Sequence, residues 1–237
     1  MSELIVIRHG QASFGEDNYD QLSPLGLEQA RTLGHYWASH GIHPEHVIVG
    51  PLRRHRQTWE ATAKAMAEQG LPLPEPRFRE DLDEHQGDQV FRHLLPELLE
   101  QDPEIRELVT STEVGAPGAS RRFMKAFVKV ATRWATGELQ VPEFENWQDF
   151  RARVTRATHE IMTVAEARDT VAIFASGGTV GAITGAALGL ADDKALEINY
   201  LVRNCAVNEF IISPRRFALS SFNNTAHLTE KRLHTYV

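Results

Sequence analysis

Leu4 to Ile7 form an uninterrupted apolar run near the start of the chain, the pattern of a strand covered on both faces. Residues 3–7 are read as that strand. Ser23-Pro24 then supply a helix N-cap and first helical residue, and Leu27, Ala30, Leu33, Gly34 and Trp37 recur on one helical face until Gly41 closes it. A short strand from His46 to Val49 follows, and Pro51 is expected to open a second helix ending near Gly70. Strand, helix, strand, helix is the rhythm of an α/β domain with a parallel sheet.

The proline-rich stretch LPLPEPRF, residues 71–78, breaks that rhythm. Beyond it, Phe123, Ala126, Phe127, Val130, Ala131 and Trp134 keep helical spacing, and Phe91–Leu99 shows a weaker version of the same pattern. These predict a helical cap inserted into the α/β core. Trp147, Phe150, Val154, Ala157, Ile161 and Val164 predict another helix, which returns the chain to that core. Residues 170–191 carry no formal charge and are long enough to span a bilayer on length alone. Ser176-Gly177-Gly178-Thr179 interrupts them, so a core strand, a glycine turn and a small-residue helix are expected there. VNEFIIS and RFALSSF on either side of Pro214-Arg215 predict a closing hairpin. The fold class expected is α/β: a three-layer sandwich with a mostly parallel central sheet. A single domain is expected, with its core at about 1–85 and 145–237 and a helical cap insertion at about 86–144.

Composition narrows the partners. The 237 residues can bury a sizeable core, and 42% hydrophobic with 24% charged residues is ordinary for a folded soluble chain. A net charge of −7 argues against nucleic acid or an acidic membrane, while a small phosphorylated metabolite can still meet a locally basic pocket. One cysteine, Cys205, excludes an internal disulfide and fits a reducing, cytoplasmic compartment. The first residues carry no secretory signal pattern. Oligomeric state is not legible, and a homodimer stays open.

Candidate chemistry gathers at strand ends, where open α/β sheets bind ligands. His9 and Arg8 follow the first strand. Arg54 falls in the first turn of the helix after the second strand, where backbone N–H groups point outward. Gly177 and Gly178 follow a third strand and are expected to let the backbone approach a ligand. Two arginines, one histidine and two helix N-termini describe a pocket for a compact dianion such as phosphate. Ser176 is not a hydrolase nucleophile by motif, because FASGG lacks the glycine-x-serine-x-glycine elbow. His40, His43 and His46 are regularly spaced, but Pro44 breaks any helix that would align them, so no metal is expected. His227 is read as structural.

The motifs together resemble the histidine phosphatase superfamily, the phosphoglycerate-mutase-like proteins. RHG (8–10) resembles its signature, LSPLGLEQA (22–30) its following helix start, and PLRRHRQT (51–58) its second-arginine motif with Arg54 in place. LDEH (82–85) is similar to the segment with the acidic catalyst, Glu84, and FASGG (174–178) stands at the second strand-end motif. The resemblance implies a metal-independent, cofactor-free phosphomonoester hydrolase of histidine acid phosphatase type. In it His9 forms a phosphohistidine, Arg8, Arg54, Ser176 and Gly177 bind the phosphoryl group, and Glu84 is the proton donor.

Three departures qualify the resemblance. Ser176 stands where the family usually has a second histidine; this implies a slowed enzyme, and Ser176→His is expected to speed it. Only His85 and Gln86 separate Glu84 from Gly87, where the family often has three residues, which leaves Asp83 and Asp81 as alternative acids. Gly15 stands where mutases carry an asparagine, and only RRF at 121–123 is similar to their paired arginines. Phosphatase therefore ranks above a phosphoglycerate-mutase-type isomerase and above a phosphate-binding pseudoenzyme.

Overall fold

A computed structural model describes residues 1–13, 20–110 and 119–236. Gly15 lies outside the described residues. The chain divides into two compact units, residues 1–84 with 151–237 and residues 85–150.

The first unit is built on a six-stranded sheet. Its strands are β1 (Ser2–Arg8), β2 (His46–Val49), β3 (Arg77–Phe78), β4 (Thr170–Ala175), β5 (Val207–Ser213) and β6 (Arg216–Asn224), in the order β3-β2-β4-β1-β5-β6. β1 with β4, β2 with β4 and β2 with β3 run parallel, while β1–β5 and β5–β6 are antiparallel. β1, β2 and β4 are the apolar runs read from the sequence, because they are covered on both faces. Ile5, Ile7, Val47, Val49, Ala172 and Phe174 pack against Ala30, Leu33, Trp37 and Met66 of the helices α1 (Pro24–His40) and α2 (Arg53–Glu68). Leu4, Val6, Ile48, Val171 and Ile173 alternate to the opposite face and are equally buried. There α7 (Gly177–Leu188) lies against β1 and β6.

Local signals act as the sequence suggests at most element ends. Ser23 caps α1 by accepting a hydrogen bond from the Gly26 N–H, Pro24 is the first helical residue, and Gly41 ends the helix in the left-handed region at φ 68°. Gly34 lets α1 meet α2 closely, since a Cβ there would lie 2.4 Å from the Thr62 carbonyl oxygen. Pro51 does not open α2. The helix starts two residues later with Leu52 as its N-cap, and Pro51 belongs to the bend that turns the chain out of β2. The uncharged stretch 170–191 is β4 followed by α7, both buried apart from the last turn of the helix. Among the described residues no helix is long and apolar enough to cross a membrane.

The second unit holds α3 (Gly87–Gln101), α4 (Pro103–Thr110), α5 (Ala119–Ala135) and the first turn of α6 (Trp147–Met162), which continues into the first unit. Phe91, Leu98, Ile105, Ala126 and Val130 form its buried cluster. His85 sits in an aromatic surround, with ring centroids 5.8 Å from Trp134, 5.4 Å from Trp147 and 5.5 Å from Phe150. Arg121, Arg122 and Phe123, the RRF triplet, are all exposed on α5. The first unit also contains α8 (Asp192–Leu201), which the apolar pattern does not announce because only Ala195 and Leu196 are buried.

Candidate active site

The site lies where β1, β2 and β4 end, all within the first unit. His9 is the first residue beyond β1, and its N–H continues the ladder by donating to the Ala175 carbonyl. The ring is almost wholly buried. Nδ1 donates to the Gly10 carbonyl oxygen at 2.7 Å, which fixes the proton there and leaves a lone pair on Nε2. Arg54 Nε donates to that lone pair at 3.2 Å. Burial, followed by the charges of Arg54 and Arg8, holds the His9 proton affinity well below the usual imidazole range, so the ring is neutral. Thr58, one turn along α2, accepts from the Gly10 N–H and donates to the Arg54 carbonyl, joining the two motifs in one bonded path.

Arg54 is itself anchored. Asp20 accepts from its Nη1 at 3.0 Å and from the Arg53 N–H at 2.9 Å, placing a carboxylate at the positive end of α2. Sequence reasoning missed Asp20, which belongs to no recognisable motif. Arg8 turns toward the end of α8, where Nη1 donates to the Val202 carbonyl at 2.5 Å.

Ser176 is the N-cap residue of α7 without a side-chain capping bond. Its Oγ lies 2.5 Å from His55 Nε2 and accepts from Arg54 Nη2 across a longer 3.5 Å. His55 is completely buried one residue after Arg54, and it too was not singled out from the sequence. The only available signal was a histidine inside the second-arginine motif. A Cβ at Gly177 would lie 2.3 Å from Asn199 Oδ1, so the missing side chain leaves room for the Asn199 side chain of α8.

Among the three carboxylates considered, Glu84 reaches the site: its Oε2 accepts from the Gly178 N–H at the start of α7 at 3.2 Å. Asp81 is turned away into an ion pair with Arg79, which holds its carboxyl below the usual range. Asp83 accepts from the Glu84 N–H, and burial raises its proton affinity. Tyr200, half-buried with its hydroxyl enclosed, lies close enough to Glu84 for that charge to add to desolvation in raising its phenol.

Other candidates do not converge here. His40 stacks on Tyr36, His43 bonds to the Pro72 carbonyl and His46 pairs with Asp169 at 3.1 Å. Among the described residues no group of three or more histidine, cysteine or carboxylate side chains is placed to hold a metal. His227 is buried 6.0 Å from the Tyr36 ring, and burial lowers its proton affinity to about 4.

The loop carrying His9 is braced from the far end of the sequence. The Gln29 side chain accepts from the Gln11 N–H and donates to the Leu233 carbonyl and Thr235 Oγ1. Asn204 accepts from Thr235 Oγ1 and its amide approaches the His9 carbonyl at 3.4 Å.

The imidazole of His9 and the guanidinium of Arg54 thus meet at the carboxyl ends of parallel strands. The family model for the histidine phosphatase superfamily (branch 1) matches residues 4–116 and 98–225, and the chain belongs to that family. A broad-specificity phosphatase of Saccharomyces cerevisiae is 37% identical over 75 residues, a match covering 29% of this chain and 33% of the yeast protein. The fold is similar to that of Bacillus stearothermophilus YhfR, with TM-score 0.68, 17% identity and coverage of 96% of this chain and 100% of that one. It is also similar to a mutant phosphoserine phosphatase from Entamoeba histolytica in complex with phosphoserine, with TM-score 0.62, 18% identity and coverage of 96% and 100%.

Proposed function

We propose that this protein is a phosphatase that hydrolyses a small-molecule phosphomonoester through a phosphohistidine at His9. The observation that carries the reading is the bonded state of His9, with Nδ1–H held by the Gly10 carbonyl and the Nε2 lone pair beside Arg54. The family relationship and the yeast phosphatase support the same reading.

In this mechanism Nε2 attacks phosphorus, forming an N–P bond as the ester P–O bond breaks. Arg8 and Arg54 hold the phosphoryl oxygens as charge spreads over them, the part a metal ion takes in other phosphoryl transfers. Glu84 gives its proton to the departing oxygen, then takes one from a water that attacks phosphorus and releases His9. No single metabolite is named by these residues.

Turnover of a generic phosphomonoester, compared with His9→Ala, tests the reading. Release of phosphate that vanishes in the variant, with an acid-labile phosphoprotein trapped on the native enzyme, is expected. Ser176 favours a second reading, a phosphate-binding protein with little turnover; inorganic phosphate binding without any hydrolysis would select it. Interconversion of phosphoglycerates would instead select a mutase.

A further inference from the structure

Glu84 follows a single 3₁₀ turn at Glu80–Leu82, in which the Leu82 N–H donates to the Arg79 carbonyl and the Asp83 N–H to that of Glu80. A helical turn leaves its last carbonyls without partners inside it. Here those are the carbonyls of Asp81, Leu82 and Asp83, and side chains from two helices take them. Arg153, on the part of α6 within the first unit, donates from Nη1 to the Asp81 carbonyl at 2.9 Å and across a longer 3.4 Å to that of Asp83. Thr179 Oγ1, in the first turn of α7, donates to the Leu82 carbonyl at 3.2 Å. Leu82 and Thr179 are completely buried, so water has no access to that bond.

The next residue along is Glu84, whose Oε2 meets the Gly178 N–H one position before Thr179. The loop backbone and the carboxylate are therefore tied to the same turn of α7. Asp83 bends back to accept from the Glu84 N–H, which occupies the remaining donor of the loop. Without these ties the loop would sample other backbone conformations and carry the carboxyl with it. A proton donor must stay within hydrogen-bond reach of the oxygen it serves, and a misplacement of about 1 Å can cost about 10²-fold in rate.

We infer that Arg153 and Thr179 are positioning residues for the acid–base step, clamping the carbonyls of residues 81–83 so that Glu84 is held where it can protonate the leaving oxygen. The inference rests on the phosphatase reading, with Glu84 as the proton donor.

Leaving groups of different quality separate this role from a general structural one. p-Nitrophenolate departs readily without a proton, whereas the phenolate of phenyl phosphate, a substrate of nearly the same shape, gains more from one; kcat/KM reports the step in which each leaves. Arg153→Ala and Thr179→Val should each lower kcat/KM for phenyl phosphate about tenfold or more, and for p-nitrophenyl phosphate by less than about threefold. Glu84→Gln should show the same selectivity, and adding Arg153→Ala to it should cost nothing further on phenyl phosphate. Thr179→Ser, which keeps the hydroxyl, should stay near the native rate. Equal losses on the two substrates, losses that multiply in the double variant, or no loss in either single variant overturn the inference. If Arg153→Ala does not fold, Thr179→Val against Thr179→Ser decides by the same comparison. Absence of turnover of both phosphates by the native protein defeats the phosphatase reading. Amide exchange then tests the clamp alone: in Thr179→Val the Gly178 N–H held by Glu84 should exchange about tenfold faster relative to the Ile183 N–H further along α7, and an unchanged ratio overturns it.

Discussion

Arg54 Nε donates to His9 Nε2 at 3.2 Å, so in the proposed reaction the guanidinium stands where the phosphoryl group would enter. The contact needs the planar fork of arginine, with Nη1 committed to Asp20 while Nε and Nη2 face the pocket. Arg54→Lys keeps the charge and loses the fork. A fall in kcat/KM of about 10²–10³ is expected, with little change in melting temperature. Steady-state kinetics beside a thermal melt checks it; an unchanged rate contradicts the assignment.

Acid should weaken both activity and stability. His9 and His55 have folded-state proton affinities held well below 6.5 by burial first and Arg54 next. The acid limb of kcat/KM should therefore lie below pH 6.5, because His9 stays a free base through that range. The unfolded chain binds protons near 6.5 that the folded chain refuses, so stability is full above that pH. It declines as pH falls below it, by up to about 1.4 kcal/mol per unit for each group. Denaturant unfolding at pH 7.5 and pH 5.5 measures the slope, and a flat profile counts against it.

The position of His55 changes what restoring a histidine should do. Ser176 is completely buried with the His55 ring against its hydroxyl, so Ser176→His alone overpacks the site. A loss of about 1–3 kcal/mol is expected, without the gain in rate that the family pattern suggests. Combining it with His55→Ala opens the space, and this double variant should be the faster enzyme. A rate increase in the single variant would refute the prediction.

Gly177→Ala places a methyl 2.3 Å from Asn199 Oδ1 and 3.5 Å from Arg8 Nε. A destabilisation of about 1–3 kcal/mol and a raised KM are expected, as α7 and α8 shift and Arg8 with them. Asn199→Ala in the same chain should recover most of the stability. Chemical denaturation of the two variants distinguishes this packing role from direct phosphate contact.

Glu84→Gln should lower kcat by about 10²–10⁴, while Asp81→Asn should leave it within a few-fold. The contrast follows from Glu84 meeting the Gly178 N–H whereas Asp81 is spent on Arg79. Equal losses in the two variants would remove Glu84 from its proposed part.

Strands and helices with one dominant periodicity were readable directly. β2 matches residues 46–49, and α1 ends at the capping residues its sequence shows. α8 was silent because its buried surface is two small residues, and the two-residue β3 hides in the proline-rich stretch. His9, Arg54 and Glu84 were legible because motif position reports the strand end that holds them. Asp20 and His55 were not, since their importance lies in side-chain bonds across gaps of 34 and 121 residues, which no local pattern encodes. Gly177 shows the converse: its type was informative, but the neighbour that demands it, Asn199, comes from a helix the pattern did not announce.

The bracing of the His9 loop by Leu233 and Thr235 ties the proposed reactivity to a segment more than two hundred positions away. Proteolytic clipping near residue 230, or a bulky fusion crowding that segment, would release Gln29 and Asn204 together. The imidazole would then lose its alignment while the sheet beneath it stayed folded, so an inactive preparation could still look native by circular dichroism.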